Sequence, residues 1–298
     1  MSDPRPARPA SLAVVGAGLI GASIALAARA AGLTVTLADR DPAAVAEAVA
    51  RGAGRPARPD DPPADLAVLA VPPDAVPGTL LGAQQRRLAR AYTDVASVKA
   101  PVVAEIRAAG GDLALFVPGH PMSGRESSGA ATADPDLFAG RAWALCPGPE
   151  TDPAAAQAVL GLVALCRAVP VLLDVAEHDR AVAVVSHVPH LVSSAMAAAL
   201  GRAAEDDLRL AGPGVSDVTR VAAGHPELWT QILRHNAPQI ATVLDRIAED
   251  LRRTATALAA DPPDLATVTE LLTQGRTGRS KLERAVAHRA DRPLRRTG

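Results

Sequence analysis

One stretch, residues 12–23 (LAVVGAGLIGAS), constrains the chain more than any other. Residues 12–15 are a short apolar run rich in β-branched side chains, which reads as a buried strand. Gly16, Gly18 and Gly21 follow in the spacing G-x-G-x-x-G, and strong helix formers run on from Ser23. Strand, tight glycine turn and helix, in that order, make a dinucleotide-binding fingerprint. Each glycine has its own reason. At Gly16 the chain must turn sharply, at Gly18 a pyrophosphate can approach the backbone, and at Gly21 helix packs close to strand. Leu19 and Ile20 complete the turn at a helix N-terminus, where unpaired N–H groups favour phosphate. A second strand, Thr34–Ala38, leads to Asp39, near the distance of about 20 residues expected of an acid that accepts from a ribose 2′-OH. That favours NAD over its phosphorylated form, and the adjacent Arg40 weakens the preference.

The alternation continues. Residues 66–71, 91–96, 112–117, 142–146 and 169–173 read as strands, with helical segments between most of them. Such alternation implies a largely parallel sheet with helices on both faces. Ligands then bind beyond the carboxyl ends of the strands. Gly16, Asp39, Val71 with Pro72, Ser97 and His120 all fall just after strand ends, so one rim gathers them; His120 is expected in a glycine- and proline-bounded loop. Beyond Asp174 strand signals stop, and residues 176–202, 217–223, 237–260 and 265–274 read as helices. The expected fold class is therefore α/β, a Rossmann-type, largely parallel sheet followed by an all-α domain. The domains run from 11 to 174 and from 175 to 298. A loose polar tail precedes them at 1–10, and the Arg-rich segment from about 275 reads as partly mobile.

Composition excludes several classes. A formal net charge of −1 gives no electrostatic case for nucleic acid or an anionic membrane. Two cysteines, Cys146 and Cys166, make no disulfide framework, and no metal-ligand spacing occurs. Residues 9–28 and 181–200 lack Asp, Glu, Lys and Arg over a membrane-spanning length. The glycine turn breaks the first, and the second contains His187, Pro189 and His190. Both read as buried elements of a soluble protein. The first ten residues lack the apolar region of a signal peptide, which places the chain in the cytoplasm. Of the two lysines, Lys99 stands out, because Arg serves as the generic cation elsewhere.

Three constellations could carry chemistry. Ser97 and His120 end successive strands. His178-Asp179-Arg180 is followed by His187 and His190, which are i, i+3 on a helix unless Pro189 distorts it. Asp217 and Arg220 are followed by Trp229. Each has a plain alternative: His187 and Trp229 as core residues, Asp217–Arg220 as a surface ion pair.

The segments 16–23, 94–99, 119–129, 178–190 and 216–229, in this order and spacing, resemble the prephenate and arogenate dehydrogenases of tyrosine biosynthesis. The resemblance implies an NAD-dependent oxidative decarboxylation of prephenate to 4-hydroxyphenylpyruvate. It implies His120 as the hydroxyl-facing base, oriented by Ser97. Arg220 would clamp a substrate carboxylate, and His190, with His187 as the weaker candidate, would contact the substrate. Glu126 and Trp229 would line the cleft or its gate. It implies a homodimer through the helical domain, with the site borrowing residues across the two-fold. Some relatives carry a C-terminal ACT domain; residues 261–298 are too few for one. The alternative substrate is arogenate. More remote readings are a β-hydroxyacid dehydrogenase and an NAD-sensing regulator without turnover. The former leans on a lysine in its helical domain, and none lies between Val175 and Ser280. The latter would leave His120, His190 and Arg220 without a shared task.

Overall fold

The computed structural model describes residues 8–123 and 129–288. β1 (Ser11–Val15) passes through the glycine turn into α1 (Leu19–Ala30). Gly16 turns at φ 104°, and a Cβ there would lie 2.2 Å from the Ala70 carbonyl oxygen. β2 (Thr34–Ala38) leads to α2 (Pro42–Ala50), which Asp41 caps by accepting from the Ala43 N–H. β3 (Arg55–Pro56), a two-residue edge strand, has no signal in the sequence. β4 (Leu66–Leu69), α3 (Val76–Gln85), β5 (Tyr92–Asp94), α4 (Ala100–Ala108) and β6 (Phe116–Val117) follow. The strands form a parallel sheet in the order β3-β2-β1-β4-β5-β6.

Residues 112–117 depart from the expectation of one strand. Asp112 accepts from the Ala114 N–H at 2.9 Å, a local turn that competes with the ladder. Only Phe116 and Val117 reach β5. At Pro118 the chain leaves this sheet. β7 (Gly119–Pro121) pairs antiparallel with β8 (Ala142–Leu145); α5 (Pro153–Leu165) then returns the chain to β9 (Val169–Leu172), parallel to β8. His120 is therefore held mid-strand in a second, three-stranded sheet rather than in a loop. The apolar faces of α1, α2 and α5 share one core, and α3 and α4 share the other.

From Val175 the elements are helical. α6 (Val175–Val182) opens with a capping box of Asp174 and Glu177. A π turn, Ala183–His187, joins it to α7 (Val188–Leu200). Pro189 has no N–H to return to the preceding turn, and the wider turn just before it absorbs the mismatch. α8 (Glu205–Leu208), α9 (Pro213–Thr219), a 3₁₀ turn at Arg220–Ala223, α10 (Pro226–His235), α11 (Ala237–Ala259) and α12 (Leu265–Ala287) complete the chain. Sequence periodicity missed α10 and stopped α12 near 274. The segment from 275, expected to be partly mobile, is helical to Ala287, with an Arg279–Glu283 pair one turn apart. At the other end, the Ala10 N–H is tied to Asp65 at 2.8 Å.

The helical part has a small apolar cluster of its own, in which Ala183, Val188 and Ile240 are buried, while Val182, Ile232 and Ala257 are buried outside it. No residue of α12 is buried. By length and composition alone, Val175–Leu200 could cross a membrane. Its expected burial is only partial, since Val184 and Val185 are 52% and 58% exposed.

Candidate active site

A cleft of about 740 Å³ opens between the glycine turn and α10. Gly18, Leu19 and Ile20 line it where α1 begins, with Val71 and Pro72 after β4, Ser97 after β5, His120 on β7 and Trp229 on α10. A Cβ on Gly18 would meet nothing within 4 Å, whereas one on Gly21 would lie 1.9 Å from the Gly16 carbonyl oxygen. Gly21 thus lets the helix seat, and Gly18 leaves open space at its start. No side chain caps α1. An uncapped helix N-terminus facing open space is a cradle for an anionic group, and it fits a pyrophosphate. Asp39 is not on the cleft wall. Its Oδ2 accepts from the Ala17 N–H at 2.6 Å and its Oδ1 from the Asp41 N–H at 2.9 Å, bracing the turn. Arg40 takes the place on the wall.

On the other side of the cleft a chain of buried polar groups runs inward from His120. His120 Nδ1 meets His178 Nε2 at 2.9 Å, and His178 Nδ1 meets Asp179 Oδ1 at 2.7 Å. The Asp179 carboxylate also accepts the N–H groups of Lys99 and Ala100, both at 2.9 Å, at the start of α4. A carboxylate can only accept, so His178 Nδ1 carries a proton. With no second proton on His178 its lone pair is on Nε2, and His120 Nδ1 donates to it. This leaves the His120 lone pair on Nε2. His120 is 6% exposed and His178 fully enclosed. Burial, helped by the nearby His178, Lys99 and His187, holds the His120 imidazole well below the usual histidine range. Its neutral form therefore prevails around pH 7.

Sequence reasoning expected Ser97 to orient this ring. The partner at Nδ1 is His178 instead, and Ser97 lines the cleft beside it. The sequence alone assigns His178 and Asp179 no role. They lie 58 and 59 positions from His120, and only the packing of α6 against the start of α4 brings them there.

On the helical side, the Trp229 indole stacks on the His190 ring, with centroids 3.5 Å apart and planes 11° from parallel. A Cβ on Gly224 would lie 2.5 Å from Trp229 Nε1 and 2.9 Å from His190 Cε1, so the stack needs glycine there. His190 thus sits behind Trp229, and burial lowers its proton affinity. His187 is not brought to the cleft wall. It is fully enclosed, and its Nδ1 accepts from the Asn236 amide at 3.1 Å. The same amide group donates to the Asp179 carbonyl at 2.7 Å. Burial pushes His187 down to about 4. Arg220 lines an adjoining polar pocket of about 500 Å³ with Arg141 and Asp136, and Ser123 borders both spaces. Glu126 lies outside the described residues.

These features have counterparts among known proteins. The family model described as the prephenate dehydrogenase nucleotide-binding domain matches residues 24–172. That of the prephenate dehydrogenase dimerization domain matches residues 174–273. A Streptomyces niveus protein named "Probable prephenate dehydrogenase NovF" is 43% identical over 239 residues, 80% of this chain and 66% of that one. The cyclohexadienyl dehydrogenase of Zymomonas mobilis is 30% identical over 270 residues, 85% of this chain and 90% of that one. The crystal structure of Synechocystis arogenate dehydrogenase aligns with a TM-score of 0.72 at 27% identity, covering 91% of this chain and 99% of that one. With both halves matched and the glycine turn, the buried histidine and the helical arm in one chain, this protein belongs to the prephenate dehydrogenase family.

Proposed function

We propose that the cleft oxidatively decarboxylates prephenate to 4-hydroxyphenylpyruvate with NAD+. The observation that carries this reading is the chain Asp179–His178–His120, which leaves a neutral imidazole with its lone pair on Nε2, on the wall of a cleft that also holds the glycine turn. The turn at Gly16, Gly18 and Gly21, with Leu19, Ile20, Val71 and Pro72, would hold the dinucleotide. Each Asp39 oxygen keeps a lone pair for a ribose hydroxyl. When bound, NAD+ supplies the hydride acceptor.

The protein's own work is then to remove a proton and fix the ring. His120 Nε2 accepts the proton of the C4 hydroxyl. Its Nδ1–H stays on His178, whose other nitrogen is held by Asp179, so the imidazolium is stabilised through one intervening ring. Loss of the ring carboxylate as CO2 leaves an aromatic product. Ser97, on the same wall, would contact that hydroxyl. Arg220, beyond Ser123, supplies the fork for the side-chain carboxylate. Trp229, backed by His190, covers the ring. The helical arm pairs with a second copy of this chain.

Arogenate is the second reading, favoured by the likeness to the Synechocystis enzyme; it shares the ring and differs in the side chain. The test is a turnover assay crossing prephenate and arogenate with NAD+ and NADP+. Formation of reduced cofactor with prephenate, at higher kcat/KM than with arogenate, is expected. No turnover of either compound would overturn the reading.

A further inference from the structure

Lys99 is 1% exposed and Asp94 is fully enclosed, and they form an ion pair beneath β7. Such a pair is weak as a device for stability. Desolvation offsets most of its attraction, and well-packed apolar side chains often do as well. Its hydrogen bonds point to another task. The Lys99 ammonium donates to the Gly119 carbonyl at 2.7 Å. Asp94 Oδ1 accepts the Gly119 N–H at 2.9 Å. The backbone of the residue before His120 is thus gripped at both its donor and its acceptor. Gly119 is also the first residue after the chain crosses from one sheet to the other at Pro118. A Cβ there would lie 2.8 Å from both the Asp94 carbonyl oxygen and Thr93 Oγ1, so the crossing is tight as well as tied.

The main chain of Lys99 completes a circuit. Its N–H goes to Asp179 Oδ1, the same oxygen that receives His178 Nδ1. The circuit therefore runs Lys99, Gly119, His120, His178, Asp179 and back to Lys99. One residue fixes the base from one side and the base's partner from the other.

We infer that Lys99, with Asp94, is a positioning residue for the proton acceptor, setting the backbone of Gly119 so that His120 meets His178. This rests on the proposed role of His120, and the experiment separates the two. Lys99→Met leaves the Asp94 carboxylate buried without its cation and is expected to lower Tm. Asp94→Asn/Lys99→Met removes the pair without that penalty and is the decisive variant. It is expected to fold and to bind NADH within a few-fold of wild type. Its kcat should fall about 10- to 100-fold, the scale of a misplacement near 1 Å.

Two further readouts belong to position rather than to stability. The acidic limb of the kcat profile should move, because His178, His187 and Lys99 all act on the charge of His120 and the variant removes the Lys99–Asp94 pair from beneath it. In 15N-histidine NMR the imidazole N–H shared by His120 and His178, sharp in wild type, should broaden or vanish. A folded double variant with wild-type kcat, an unmoved limb and the shared N–H intact would overturn the inference. So would a variant that loses only Tm. If the wild type turns over neither prephenate nor arogenate, the proposed function fails, and the NMR result alone still decides whether Lys99 sets this contact.

Discussion

At the scale of single residues, burial sets the direction in which His120, His187 and His190 depart from an ordinary histidine. The working form of His120 is neutral, and burial penalises the charged form. Its protonation should therefore shut turnover down only below the ordinary histidine range, and the acidic limb of kcat should fall below pH 6.5. His120→Asn should cost about 10²- to 10⁴-fold in kcat and abolish that limb, with NADH binding retained. Unchanged kcat in this variant would exclude His120 as the base. His178→Gln should cost less than the loss of the base itself, because glutamine can still accept from His120 Nδ1 but carries no link to Asp179. Arg220→Ala should lower kcat/KM for prephenate about 10- to 150-fold and spare NADH affinity, if its fork meets a carboxylate. A surface ion pair in that place would leave the kinetics alone. The glycines and His120 were legible at the rim because they follow strand ends, and Trp229 only through the resemblance of its segment. His178 and Asp179 were not, since what gives them a task is contact across 58 and 80 positions. His187, the weaker candidate of the two helical histidines, lies in the π turn and is enclosed in the core, the plain alternative that the sequence also offered. A single added residue per turn is invisible to periodicity.

At the scale of elements, the glycine turn and α10 can be separated by substitution. Gly21→Val should unfold the strand–helix junction, because its Cβ has 1.9 Å to the Gly16 carbonyl oxygen. Gly18→Ala should leave Tm nearly unchanged and weaken dinucleotide binding, because its Cβ projects into open space. Calorimetry of the two variants with and without NADH checks both. Gly224→Val should drive Trp229 off His190 and raise KM for the substrate more than for the cofactor. The parallel strands were readable as apolar runs. Residues 112–117 misled because side-chain capping by Asp112 takes a backbone N–H that the pattern assigns to the ladder. Without that turn His120 would fall in a loop after a long strand. With it, His120 falls within a strand, paired opposite Ala144.

At the scale of the whole molecule, the two halves are unequally packed. The strand-bearing part has a core on each face of its sheet, whereas the helical part encloses few residues and leaves Leu265 and Leu272 63% and 69% exposed. Apolar surface of this extent along one arm calls for a cover. The expected cover is a second copy of the chain, and light scattering at micromolar concentration should give twice the mass of 30.4 kDa. A fully active monomer would refute it. Acid should loosen the molecule through its enclosed histidines. His187 binds its proton near 4 when folded and near 6.5 when unfolded, so between these values the unfolded chain holds more protons. Stability should therefore fall as pH drops from 6.5 towards 4, by up to about 3 kcal/mol from this group. Thermal melts across that range, flatter in His187→Gln, measure it.

The circuit through Lys99 also ties the two halves together as a matter of inheritance. His120 and Lys99 come from the strand-bearing half, while His178 and Asp179 open the helical one. A chimaera that grafts a foreign helical half after residue 173 could keep its dinucleotide cradle and its assembly surface. It would still lack the ring that dictates which nitrogen of His120 is free, unless the graft brought the same His-Asp pair at the same two positions. Recombination between relatives is thus restricted at the very joint where the architecture invites it, and each half must change in step with the other.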